Sequence, residues 1–132
     1  MNLSLEHIGL ASLSPAALKD WYVKALDAKE VFDNRQIPPA FFIELPGGAL
    51  IEIYPASHGL GETGHNRLQG FRHLALRVDS IEVAKAHLGG RGVSFSEPIK
   101  PAGGGGRVLF FRDPDGNLLH LVERPAGWSL PV

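Results

Sequence analysis

The sequence predicts an α+β fold built from two tandem strand–helix–three-strand modules, and three observations carry that prediction. The same order of short apolar strands around one amphipathic helix occurs twice in the 132 residues. "EHIGL" in the first half aligns with "RHLAL" in the second, and "LIEIY" aligns with "LLHLV". A polar, glycine-rich stretch, "SHGLGETGHNRLQ", separates the two copies. The expected organisation is a single domain over 1–132, made of module 1 (3–56) and module 2 (70–125) joined by a polar loop (57–69).

Module 1 opens with the strand candidate "LSLEHIGLA". The helix "SPAALKDWYVKALDA" follows, with Ser14 as N-cap and Pro15 in its first turn. Leu18, Trp21, Tyr22 and Leu26 recur at helical spacing as its packed face. "EVFDN", "AFFIEL" and "ALIEIYP" read as strands, the last two joined across Pro46-Gly47-Gly48. Module 2 opens with "FRHLALRV", then the helix "DSIEVAKAHLGG", with Asp79 as cap, Glu82 at capping-box spacing and a Gly89-Gly90 stop. Its three further strands are expected in "GVSFSE", "GRVLFF" and "NLLHLVE".

Composition narrows the function. Thirteen basic and fourteen acidic side chains, scattered along the chain, give a formal charge of −1 and no basic stripe for nucleic acid. No apolar run reaches the length of a membrane span. The opening "MNLSLEHIGL" lacks the basic-then-apolar pattern of a secretory signal, and a chain without cysteine suits a reducing cytoplasm. Any metal must then be held by His, Asp or Glu.

Alternation along strands sorts the candidates. Leu74, Leu76, Leu119, Leu121, Ile51 and Ile53 form aliphatic stripes for helices to cover. His7, Glu52, His73 and His120 fall on the opposite faces, at repeat-equivalent positions, while Glu123 falls with the covered leucines at a strand end. Three imidazoles and one carboxylate facing one concavity would suit a divalent Ni, Zn, Co or Fe ion with positions left for substrate oxygens. Tyr54 shares the parity of Glu52 and Arg77 that of His73, placing both beside the site. Phe71 is a candidate apolar wall and Arg107 a candidate anion anchor. The segment "PAGGGG" before Arg107 reads either as a mobile loop or as a lid.

On "EHIGL", "ALIEIY", "FRHLALRV" and especially "FFRDPDGNLLHLVE", with its D-P-D-G-N turn before a last strand, the chain resembles the vicinal oxygen chelate superfamily. That group holds the glyoxalases, bleomycin-resistance proteins and extradiol dioxygenases, and the resemblance covers nearly the whole chain. It implies a mixed sheet that curls around a metal-binding cleft, often in a homodimer. It also implies metal ligands at His7, Glu52, His73 and His120, one divalent ion per site. Most metal-dependent relatives carry glutamate at the last position, so His120 departs from their pattern. The implied activity is a divalent-metal-dependent lyase or isomerase resembling glyoxalase I. Its small substrate would chelate the metal through vicinal oxygens, Glu52 would move the proton, and His120 would serve as a ligand or a second base. Alternatives are a metal-dependent dioxygenase or thiol transferase of the same superfamily, or a non-catalytic antibiotic or small-ligand binding protein.

Overall fold

The computed structural model describes residues 1–129. The chain divides into two compact units, Met1–Gly61 and Glu62–Val132. In the first, β1 (His7–Ser12) leads into α1 (Pro15–Leu26), followed by β2 (Lys29–Asp33), β3 (Phe41–Glu44) and β4 (Leu50–Pro55). In the second, β5 (His73–Arg77) leads into α2 (Ile81–Gly90), followed by β6 (Lys100–Pro101), β7 (Arg107–Arg112) and β8 (Leu118–Glu123). The tandem strand–helix–three-strand order is therefore present.

The expected curled mixed sheet around a metal-binding cleft is not. The strands form two separate four-stranded sheets, β1-β4-β3-β2 and β5-β8-β7-β6, and neither order closes on itself. The reason lies in the pairing. Each module sets its first strand parallel to its own last strand, His7 to Ser12 against Leu50 to Pro55 and His73 to Arg77 against Leu118 to Val122. Antiparallel hairpins complete each sheet from within the same module.

In the first unit Pro15 occupies the start of α1, where its missing N–H costs nothing. Ser14 makes no side-chain cap bond; instead the Ser12 hydroxyl accepts the Ser14 N–H at 3.0 Å. The helix stops at Asp27, whose φ of 56° is left-handed. Its buried stripe is Leu18, Tyr22 and Ala25, and the buried residues of the neighbouring strands are Ile43, Ile51 and Ile53.

In the second unit α2 is capped by Ser80 rather than Asp79, the Ser80 hydroxyl accepting the Val83 N–H at 3.3 Å. The expected strand in "GVSFSE" is replaced by the two-residue β6, since Pro98 and Pro101 supply no N–H to a ladder. The D-P-D-G-N turn is organised by Asp113. One of its carboxylate oxygens accepts the backbone N–H groups of Asp115 and Asn117, each at 3.0 Å, and the other accepts the Asn117 side-chain amide at 2.9 Å.

Glu123 lies on the helix face of β8, as its parity requires. It does not simply meet solvent: it accepts the Ile81 N–H at 2.9 Å, satisfying a free donor at the start of α2. Arg107 donates to Glu123 and, as a fork, to both oxygens of Glu82 at 2.7 and 2.9 Å. The Arg107 guanidinium lowers both carboxyl groups, Glu82 to about 2. Their folded values lie below the ordinary 4.5, so this stabilisation is complete above pH 4.5 and is lost as pH falls toward 2. Arg107→Gln is expected to flatten the acid limb of a stability-against-pH curve below pH 4.5. Urea unfolding followed by circular dichroism at pH 7, 4 and 3 would check it, and parallel curves for the two proteins would count against the network.

Candidate functional site

The face of each sheet turned away from its helix carries the polar and aromatic candidates. In the first unit Glu52 stands opposite Phe42 of β3 and Gly9 of β1 in register. His7 Nε2 lies 3.8 Å from Glu52 Oε2, its Nδ1 donates to Glu6 Oε1 at 2.9 Å, and its ring meets Phe42 edge-on at 5.2 Å. Tyr54, next along that face of β4, is half-exposed and lays its ring over Gly9, where a side chain would crowd it.

In the second unit His120 is the centre. It stands opposite Ala75 of β5 and Phe110 of β7. Its ring lies 4.7 Å from that of His73 and 4.8 Å from that of Phe110, the latter tilted by 32° toward stacking. His120 is 9% exposed, and neither ring nitrogen has a hydrogen-bond partner. Burial, with the neighbouring His73 and Arg124, pushes its pKa down to about 4, so the imidazole is neutral at pH 7. His73 is more exposed. Its Nδ1 donates to Asn66 Oδ1 at 2.8 Å, which orients the ring. The result is a cluster of three rings with unspent hydrogen-bonding capacity on a neutral, buried imidazole.

The four expected metal ligands thus fall into two pairs, His7 with Glu52 and His73 with His120. Among the described residues no group of three or more His, Asp or Glu is placed to hold a metal ion. A zinc site ordinarily has three or four protein ligands, so the expected Ni, Zn, Co or Fe cofactor on these four residues is corrected. Each pair arises inside one module from its parallel first and last strands, and outside the pairs His7 bonds to Glu6 and His73 to Asn66.

Of the other candidates, Phe71 precedes β5 and is fully exposed. Arg77 lies on the His73 face of β5, with its guanidinium 5.7 Å from the Trp128 ring centre. Arg107 lies on the opposite face, held by Glu82 and Glu123. The glycine loop is strapped down: Arg124 Nη1 donates to the Gly103 and Gly105 carbonyls, and Trp128 Nε1 to the Gly104 carbonyl, each at 2.6 Å. Asn66, Phe110, Arg124 and Trp128 are the contributors that sequence reasoning missed. Phe110 could have been found by the parity that found His120, because it alternates with the buried Leu109 and Phe111.

The family model of the Glyoxalase/Bleomycin resistance protein/Dioxygenase superfamily matches residues 4–121. The chain belongs to this superfamily. Among members of known sequence it is 28% identical over 123 residues to the uncharacterized protein YaeR of Escherichia coli (strain K12), covering 91% of this chain and 95% of that one. It is 29% identical over 129 residues to biphenyl-2,3-diol 1,2-dioxygenase 3 of Rhodococcus globerulus, covering 89% of this chain and 61% of the enzyme. Among solved structures, the glyoxalase family protein from Enterococcus faecalis superposes with a TM-score of 0.77 at 27% identity, covering 91% of this chain and 97% of that one. The antibiotic binding protein TnmS3 from Streptomyces sp. CB03234 shares the fold, with a TM-score of 0.70 at 23% identity, 95% of this chain and 99% of that one being covered. Among the described residues of this superfamily member, no helix is long and apolar enough to cross a membrane.

Proposed function

We propose that the chain is a small-ligand binding protein of the superfamily, seating a planar aromatic molecule against His73, Phe110 and His120 without chemical turnover. The observation that carries this reading is His120, buried with both ring nitrogens unpartnered among aromatic rings. An orphaned buried polar atom costs about 1–3 kcal/mol, and a bound ligand that hydrogen-bonds to it recovers that cost. His73 and Phe110 are the more exposed members of the cluster and so the ones a ligand meets first.

The similarity to an enzyme named for an aromatic diol supports the ligand class, and TnmS3 shows that the fold serves antibiotic binding. An isomerase reading would need Glu52 and His120 to share a metal-held substrate, and the ligand set for that is not assembled. The binding reading extends to a homodimer in the cytoplasm: exposed Ile8, Val31, Phe32 and Phe71 give a second copy apolar surface to cover, and sedimentation should report twice the 14.3 kDa chain mass.

The test uses biphenyl-2,3-diol as probe. Saturable binding by calorimetry is expected, unchanged by a chelator, with the probe recovered intact by mass spectrometry. Phe110→Ala is expected to weaken binding about tenfold, the loss of one ring contact and its buried area. Conversion of the probe, or affinity abolished by the chelator, would sink the non-catalytic reading.

A further inference from the structure

The chain as a whole is close to neutral, with 13 basic and 14 acidic side chains. The ligand face of the second sheet is not. Alternation and register place Ala75, Arg77, Val108, Phe110, Arg112, Leu118, Val122 and Arg124 on the face that holds His73 and His120. Lys100 of β6, opposite Val108 and with its ammonium 5.6 Å from the Phe110 ring centre, joins them, so the face carries three arginines and a lysine. Glu97 pairs with Lys100 at 3.1 Å, whereas the acidic side chains of β8 and α2 lie on the opposite side with Arg107.

Two of the three arginines converge. The guanidinium carbons of Arg124 and Arg77 lie 4.4 and 5.7 Å from the centre of the same Trp128 ring. Arg124 spends hydrogen bonds on the Gly103 and Gly105 carbonyls, which do not neutralise its charge. Arg77 is exposed and makes no ion pair among the described residues. In register Arg77 pairs with Val122, two residues beyond His120, a step of about 7 Å along the strands. His120, nine-tenths buried and unpartnered, marks the other end of the same line.

We infer that the ligand is an aromatic carboxylate: its ring lies against Phe110 and His120, and its carboxylate is received by Arg77 beside Arg124 and Trp128. Arg77 is the residue free to form a paired, charge-assisted contact, and Arg124 supplies a fixed second charge. This rests on the binding reading above and adds the charge of the ligand to it.

The test compares 2-naphthoate with 2-naphthamide, which share a ring system and differ in charge, by calorimetry on the full chain and on Arg77→Gln. Naphthoate is expected to bind about tenfold more tightly than the amide, and Arg77→Gln to remove that advantage while leaving the amide unchanged. Raising the salt concentration should weaken naphthoate alone. Equal affinity of the two probes for the wild type would overturn the inference and leave the binding reading standing. So would an Arg77→Gln variant, folded by circular dichroism, that weakens both probes alike. Binding of neither probe to the wild type would overturn both readings together.

Discussion

Gly106→Ala is expected to destabilise the second unit by about 3 kcal/mol or more, lowering its melting temperature by about 10 °C. Gly104, Gly105 and Gly106 take φ values of 82°, 100° and 99°, a region that residues with a side chain rarely enter. At Gly106 there is also no space. A methyl group there would overlap the Glu123 carbonyl oxygen and sit 3.1 Å from the Arg124 Cα. Both are backbone atoms at the end of β8, held by pairing with Arg107 and by the Ile81 bond to the Glu123 side chain, so they cannot yield cheaply. Gly103 is the internal control: its φ is not positive and nothing lies within 4 Å of an added Cβ. Gly103→Ala should stay within about 0.5 kcal/mol of the parent. Thermal unfolding of the two variants decides the matter, since similar losses in both would mean that loop entropy, not this close approach, is being measured.

His120→Phe is expected to stabilise the protein while abolishing ligand binding. The substitution keeps a ring between His73 and Phe110 and removes two buried nitrogens that have no partner, a gain of about 1–2 kcal/mol at pH 7. It also changes the pH dependence. The imidazole has a folded pKa of about 4 against an ordinary 6.5, so between those values the unfolded chain takes up the proton first. Stability from this residue is complete above pH 6.5 and is lost as pH falls through about 4, a span of up to about 3 kcal/mol. The wild type should therefore weaken between pH 6.5 and 4, and His120→Phe should hold level there, both proteins then meeting the carboxylate-dependent loss below pH 4.5. Denaturant midpoints at half-unit steps of pH would show it. A wild-type curve flat from 6.5 to 4.5 would mean that solvent reaches the imidazole.

What could be read from the sequence was what depends on local period and turn chemistry. Two-residue alternation assigns His120 and Glu123 to opposite faces, and the structure keeps that assignment because β8 runs unbroken from Leu118 to Glu123. The D-P-D-G-N turn was legible because Asp113 bonds only a few residues onward. Ser80 and Asp79 are both competent caps, and which one serves depends on where β5 delivers the chain. The short β6 follows from Pro98 and Pro101, which withhold N–H donors from an edge strand however well the surrounding residues alternate. The expected metal set failed for a different reason. Parity says which side of a sheet a residue faces, but not whether three possible ligands come close enough together to hold an ion, and among the described residues none do. Likewise, Arg107 as an anchor and the glycine run as a lid depend on partners 16 to 25 residues away, which no local pattern reveals.

The parallel pairing of first and last strands has a consequence for how this chain is made. As it leaves the ribosome, β1 has no partner until β4 has been synthesised, and β5 none until β8 follows. Each hairpin can form early, because its strands are neighbours in sequence, but the parallel ladder closes only after the whole module has emerged. His7 and Glu52 come together at that closing step, and so do His73 and His120. The groups with most to offer a ligand are therefore assembled last, and a nascent chain cannot present them before its sheets are complete.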